Sequence, residues 1–433
     1  MNTKTLVVSN RIRRGIVATV IITATLLILT WLLPESALPA ATVHSSARGA
    51  AMGGAFTALA KSVNAAKYNP ANLGLDGYQH YGLEVAALGA SVTNNAFTLS
   101  DYNRYTGAVL STADKRDIME KIPIEGLSID ADIKASALSL ALGRFALSVN
   151  GVGAADINLN RKIVDLVLNG NTFADTLDVS GSYSDAISYA TLSFSYGMPV
   201  YSSGTRQLAV GLTASYIRGI AIEEVVKLRG LAATYEAGFQ GQGEAVFRTA
   251  TGGSGYGLDL GAALKLNDRY TVGARIENLV SRISWSKNPE EHGYIFEFDT
   301  ATADDFDEDY VTSDDYSIDI GAFSASLPAV MNVGFARTSG KLLWAVEWTQ
   351  GFRAAPGTST KPRLALGAEY QPVSWLPLRG GFMAGGDRHT AFSFGSGLDL
   401  YGVYLDFAVI TGATLSVYSA KGVNLAFSTG ILF

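Results

Sequence analysis

The run Ala391-Phe392-Ser393-Phe394-Gly395-Ser396-Gly397-Leu398-Asp399-Leu400 decides the fold class. When successive side chains point to opposite sides, Phe392, Phe394, Leu398 and Leu400 share one face, and Ser393, Gly395, Gly397 and Asp399 take the other. The next stretch sets Val403, Leu405, Phe407 and Val409 opposite Asp406. The last sets Val423, Leu425, Phe427, Ile431 and Phe433 opposite Asn424, Ser428 and Gly430. A period of two means strands. An apolar face backed by a small, polar one fits the wall of a water-filled barrel and also the outside of a soluble sandwich.

The connections separate these readings. Working back from the C-terminus, short turns stand at Tyr401-Gly402, 371–374, Ser339-Gly340, Asn267-Asp268, 201–205 and Gly143-Arg144. Between them lie longer links near 94–128, 156–186, 223–254, 286–315, 353–360, 385–390 and 412–420. Six hairpins, one strand before them (about 81–93) and one after give fourteen. An even count with short turns on one side and long loops on the other is the pattern of a transmembrane antiparallel β-barrel, with both termini on the short-turn, periplasmic side. Residues 228–250 leave sixteen strands open, because they either add a hairpin or lengthen strands beyond the membrane. Residues 113–122 read as a short helix before Pro123. Aromatics near strand ends, among them Tyr196, Tyr201, Trp285, Trp344, Tyr370, Trp375, Tyr401 and Tyr404, suit a bilayer-edge girdle.

Composition agrees. The 433 residues are 48% hydrophobic and only 17% charged, with 46 glycines, which suits strands more than helical bundles. No cysteine is present, so a disulfide framework, a thiolate metal site and a cysteine nucleophile are excluded. Lys4, Arg11, Arg13 and Arg14 precede an apolar run over 16–33, broken by Pro34 and followed by Ala37-Leu38-Pro39-Ala40-Ala41. That layout predicts a secretory signal over 1–40; an uncleaved anchor is the other reading. Removing the +3 of this segment leaves a mature chain of −9, a poor partner for nucleic acid.

Between the signal and the first strand stands Ser46-Ala47-Arg48-Gly49-Ala50-Ala51-Met52-Gly53-Gly54-Ala55-Phe56-Thr57-Ala58-Leu59-Ala60. It continues through Asn64-Ala65-Ala66-Lys67-Tyr68-Asn69-Pro70-Ala71-Asn72-Leu73. This segment resembles the N-terminal signature of the outer-membrane long-chain fatty-acid transporter (FadL/TodX-like) superfamily, which also holds the PorV/PorQ proteins of the type IX secretion system. Pro377-Leu378-Arg379-Gly380-Gly381-Phe382 and residues 393–399 resemble the closing strands of PorV-type members. Asp101-Tyr102-Asn103-Arg104-Tyr105 with Asp114-Lys115-Arg116-Asp117-Ile118 is similar to an uncharacterised branch of the group. The resemblance implies a fourteen-stranded barrel over 78–433 with a hatch over 41–77 in its lumen. Met52, Gly53, Gly54 and Phe56 would then sit inside the bore. Asn69, Pro70 and Ala71 would form the turn that fixes the hatch, as plug or gate.

Other chemistry is sparse. Asp259, Arg275, Glu277, Glu347, Arg363, Glu369, Arg379, Asp399 and Asp406 read as inward charges, either a lining that sets what passes or a network tying wall to hatch. The acidic stretch 299–319 lacks the glycine and terminal glutamate of a calcium loop, so solvated carboxylates are expected. His44, His80, His292 and His389 lie outside metal-motif spacing. With no nucleophile elbow, P-loop or dinucleotide fingerprint, neither an enzyme nor a cofactor is expected. The long loops look polar or acidic, unlike the apolar capture hairpin of the transporters. The expected function is passive transport of small hydrophobic molecules across the outer membrane of a Gram-negative bacterium, among outer-membrane lipids. The alternative is a PorV-like scaffold or shuttle for secreted or envelope proteins. Phe433 suits delivery to the outer-membrane insertion machinery.

Overall fold

In the computed structural model the described residues are 45–77, 81–170, 176–235, 238–301, 311–386, 390–412, 414 and 416–433. The signal segment, His44, His80, His389 and most carboxylates of 299–319 lie outside them.

Nineteen strands form among the described residues: β1 (Gly82–Asn94), β2 (Leu127–Leu142), β3 (Phe145–Leu159), β4 (Thr176–Asp178), β5 (Tyr183–Ser203), β6 (Arg206–Tyr235), β7 (Gly238–Ala250), β8 (Gly252–Lys265), β9 (Tyr270–Lys287), β10 (Glu290–Ala301), β11 (Val311–Asp319), β12 (Phe323–Ala325), β13 (Val330–Ser339), β14 (Leu342–Gly351), β15 (Arg363–Val373), β16 (Leu376–Gly385), β17 (Thr390–Leu400), β18 (Val403–Gly412) and β19 (Gly422–Leu432). Fourteen of them make a closed antiparallel wall in the order β1-β2-β3-β5-β6-β8-β9-β13-β14-β15-β16-β17-β18-β19, and β19 returns to β1 with Leu432 opposite Gly82 and Gly422 opposite Thr93. Closure pairs the backbone groups that hydrocarbon cannot solvate, so the ring has no free edge. Alternation then sorts the faces. Leu192, Leu212, Leu366, Phe394 and Phe407 stand exposed on the outside, while Ser195, Ser393 and Asn424 are buried inside.

The other five strands correct one expectation. Residues 223–254 and 286–315 are mostly strand, not loop. β6 runs for 30 residues and carries the hairpin with β7 far beyond the barrel rim. β7 pairs in turn with β10, and β10 with β11; β4 lies on the other side of β6. Because β7 leads into β8 across Thr251 alone, the wall count stays at fourteen. Trp285 and Tyr404 are also corrected from the girdle: both are turned inward and buried, whereas Tyr201, Tyr370, Trp375 and Tyr401 are exposed. The helix expected at 113–122 is α4 (Thr112–Lys121), closed by a reciprocal Ser111–Asp114 capping box; it follows α3 (Leu99–Tyr105).

The N-terminal segment fills the short-turn half of the lumen. It comprises α1 (Ala47–Ala51), α2 (Val63–Tyr68) and a 3-10 turn over Pro70–Gly74. Met52, Phe56, Leu73 and Leu75 are fully buried there. The wall meets the segment with glycine. A Cβ built on Gly211, Gly261, Gly273, Gly334, Gly367 or Gly381 would crowd an atom of the segment, and these positions lie on six different strands. At these six positions the absence of a side chain is what lets the plug come up against the wall.

Candidate functional site

The plug is held by a few polar contacts placed where its own helices end. Gly53 and Gly54 follow α1 with φ of 67° and 83°, a conformation that costs a Cβ-bearing residue about 1 kcal/mol or more. This turn brings Phe56 and Thr57 over β14. One Glu347 oxygen accepts the backbone N–H groups of both residues at 2.8 Å, and the other accepts the Thr57 hydroxyl at 2.9 Å. Phe56 packs edge-on against Tyr68, ring centres 5.0 Å apart. Met52 lies against Gly367, and the Ser393 hydroxyl donates to the Ala51 carbonyl at 2.8 Å.

At the other end of the plug, Asn69 caps the 3-10 turn by accepting the Ala71 N–H at 3.1 Å. Its amide donates to the Ala262 carbonyl of β8 at 3.0 Å. Pro70 presets the first residue of that turn, and Ala71 fits against Gly211. The hatch residues read from sequence thus do converge, all of them inside the bore.

Besides Glu347, the predicted inward charges form two networks, with Arg363 and Asp399 at their margins. Arg379 on β16 donates to Glu369 on β15 at 2.7 Å and to Asp406 on β18 at 2.5 Å, reaching over β17 where Gly397 leaves room. Arg48 of the plug closes a bidentate pair with Glu369, both bonds 2.8 Å. On the other side of the bore Arg275 meets Asp259 at 2.6 Å and Glu277 at 3.6 Å, and bonds the Lys67 carbonyl of the plug. Arg363 approaches the Thr349 hydroxyl at the mouth of the lumen, and Asp399 is exposed at the short-turn rim, close enough to Asp406, Arg48 and Arg379 of the first network to feel their charge. Several participants were not singled out in the sequence. Lys67 pairs with Glu84 of β1, whose second oxygen accepts the Tyr404 hydroxyl at 3.3 Å. The Lys67-Tyr68-Asn69 adjacency to the turn motif was the available signal. Among the described residues no group of carboxylates and histidines has metal-binding geometry.

Above the plug the lumen opens into a cavity of about 780 Å³ floored by Gly54, Thr57 and Tyr68. One side is apolar, with Ile187, Tyr189, Ile217, Ile222 and Leu327 lining the space in front of the buried Trp285. The rest is polar and charged, including Asp130, Asp156, Asp185, Arg353 and Lys361. Such a chamber accommodates a molecule with an apolar body and a polar end.

Residues 222–410 match a family described as "Family of unknown function (DUF5723)". No curated protein sequence matches the chain. The toluene transporter TbuX of Ralstonia pickettii is similar in structure at a TM-score of 0.51 and 14% identity, covering 90% of this chain and 98% of its own. A mutant of the TodX monoaromatic hydrocarbon channel gives 0.50 at 14% identity, over 90% of this chain and 99% of its own. A FadL homologue of Pseudomonas aeruginosa gives 0.49 at 13%, over 92% and 99%. Nearly end-to-end coverage at a TM-score of 0.50 or above, with so little identity, shows a shared architecture: the chain has the fold of the toluene transporter and hydrocarbon-channel structures.

Proposed function

We propose that the protein is an outer-membrane channel through which a small molecule with an apolar body passes by diffusion, from the cavity past the N-terminal plug. The observation that carries this reading is the half-apolar chamber standing directly on the plug. The shared fold with a toluene transporter supports it. In this reading 1–40 is removed on export, the chain is placed in the membrane by the insertion machinery, and the exposed Leu and Phe side chains meet outer-membrane lipids. Because neighbouring wall strands are hydrogen-bonded round the whole ring, passage runs through the plug. The plug then acts as gate as well as filling, and Glu347 and Glu369 are the contacts it must release. Liposomes carrying the full chain should take up toluene or a fatty acid faster than empty ones; equal rates overturn the reading.

A second reading draws on the sheet beyond the rim. β6, β7, β10 and β11 extend well past the barrel, a platform suited to a protein partner, as a PorV-like scaffold would need. Pull-down from detergent-solubilised membranes should then recover one specific envelope or secreted protein, and shortening the platform should abolish its recovery.

A further inference from the structure

At the short-turn rim an arginine stands on the outer wall among girdle aromatics. On β13, Gly334 and Ala336 face the plug, so Phe335 and Arg337 alternate to the outside. Arg337 lies opposite Tyr270 of β9 on one side and Trp344 of β14 on the other. Its guanidinium sits over the Tyr270 ring, 5.7 Å from the ring centre. Tyr270, Phe335 and Trp344 form one aromatic patch, neighbouring centres 5.9 and 5.6 Å apart. Beneath these rings Arg337 Nε is buried without a hydrogen-bond partner. Among the described residues Arg337 has no carboxylate partner either.

The turns on both sides of Arg337 add charge of the same sign. Arg269, just before Tyr270, and Lys341, just after the Ser339-Gly340 turn, are both exposed. Residues 264–271 and 335–344 together hold four basic side chains and a single acidic one, in a chain whose net charge is −6. That acid, Asp268, is taken by Lys265 at 2.9 Å. Lys341 gives one donor to the Pro372 carbonyl at 2.6 Å, and its other two remain. A guanidinium shielded from water at the edge of hydrocarbon is costly unless an anion comes to it. Its planar fork matches two phosphate oxygens. Aromatic rings at the same depth suit the glycerol region of a bilayer.

We propose that Arg337, with Arg269 and Lys341, binds the headgroup phosphate of an anionic phospholipid in the periplasm-facing leaflet, while Tyr270, Phe335 and Trp344 hold its glycerol end. Arg337 faces the lipid side of the wall and not the aqueous tips of the turns, which favours a lipid over a periplasmic protein as the occupant. The inference rests on the outer-membrane placement above and is independent of what the channel carries.

Fluorescence quenching by lipids with brominated acyl chains tests it. In a Trp348→Phe, Trp375→Phe background Trp344 reports from the lipid face, since Trp285 is buried in the lumen and Trp31 lies in the signal segment. The protein is reconstituted in phosphatidylcholine vesicles, with the same fraction of either phosphatidylglycerol or phosphatidylcholine brominated. Brominated phosphatidylglycerol should occupy the site about fivefold more readily, the worth of one cationic contact at a membrane surface. Arg269→Gln, Arg337→Gln and Lys341→Gln together should bring that ratio to one, in protein whose heat-modifiable mobility confirms a folded barrel. Arg337→Lys, which keeps the charge and loses the fork, should fall between. Equal quenching by the two lipids overturns the inference, as does a preference that the triple variant retains or that free inorganic phosphate abolishes. Protein that fails to float with the vesicles removes the outer-membrane placement as well.

Discussion

The two halves of the lumen are built on opposite principles although one continuous wall encloses both. In the short-turn half, glycine and alanine meet a buried backbone, and the ionised groups described there mostly have a counter-charge or several donors within 2.5–2.9 Å. In the long-loop half, carboxylates stand side by side, a loop crosses open space and a cavity remains. The difference shows what each half is for. Burial without water demands complete satisfaction of polar groups, while a wet chamber tolerates charge that serves something other than stability.

The sharpest way to break this contrast is at Glu347. Glu347→Ala strands two buried N–H groups and a hydroxyl in the plug and should destabilise it by about 3–5 kcal/mol. Limited proteolysis of residues 45–77 reads this directly, and an unchanged cleavage rate would mean that the contacts do not hold the plug. Next in size, Gly211→Val places a branched side chain on the Pro70-Ala71 backbone and should cost about 1–3 kcal/mol. Its readout is a lower midpoint of urea unfolding in detergent. In the long-loop half the cost falls: Asp185→Asn keeps an acceptor for the Val225 N–H while removing a like charge opposite Asp156, and should change stability by no more than about 1 kcal/mol. A clear loss of stability there would erase the distinction between the halves.

The smallest effect lies outside the barrel, in α3 and α4. The Ser111 hydroxyl and N–H hold Asp114 below the ordinary carboxylate range, and the Tyr105 hydroxyl with Lys121 does the same for Asp117. A carboxyl whose folded pKa is depressed stabilises above its ordinary value of about 3.9 and loses that contribution as pH falls through the lower, folded one. Hydrogen exchange over 98–121, corrected for intrinsic rates, should therefore be flat from pH 7 to about pH 5 and rise only below about pH 4. A rise already near neutrality would deny these caps their role.

Much of the fold was readable along the chain because a wall strand repeats every two residues and a short turn has few solutions. All six short turns stand where Gly, Asn, Asp and Ser placed them, and the Met52-Gly53-Gly54 and Asn69-Pro70-Ala71 segments are inside the bore. Length was harder to read: bulges near Ile220 and Val226 interrupt the alternation of β6, so 223–254 read as a link, and of the two options left open for 228–250 the lengthened strands are the one that forms. Trp285 misled because aromatic rings suit the bilayer edge, although its alternation with Arg275 and Ile283 along β9 already set it on the inward face.

The amino-acid order by itself determined strand period, turn positions and which side of each strand is apolar, and narrowed the wall to fourteen or sixteen strands, since all of these depend on neighbours a few residues apart. Only the folded ring decided who meets whom across the bore. Arg48 with Glu369, Glu347 with Phe56 and Thr57, and Gly357 with Asp132 are each brought together over two hundred or more residues of chain. Register and closure fix those meetings, and neither is written in any local stretch.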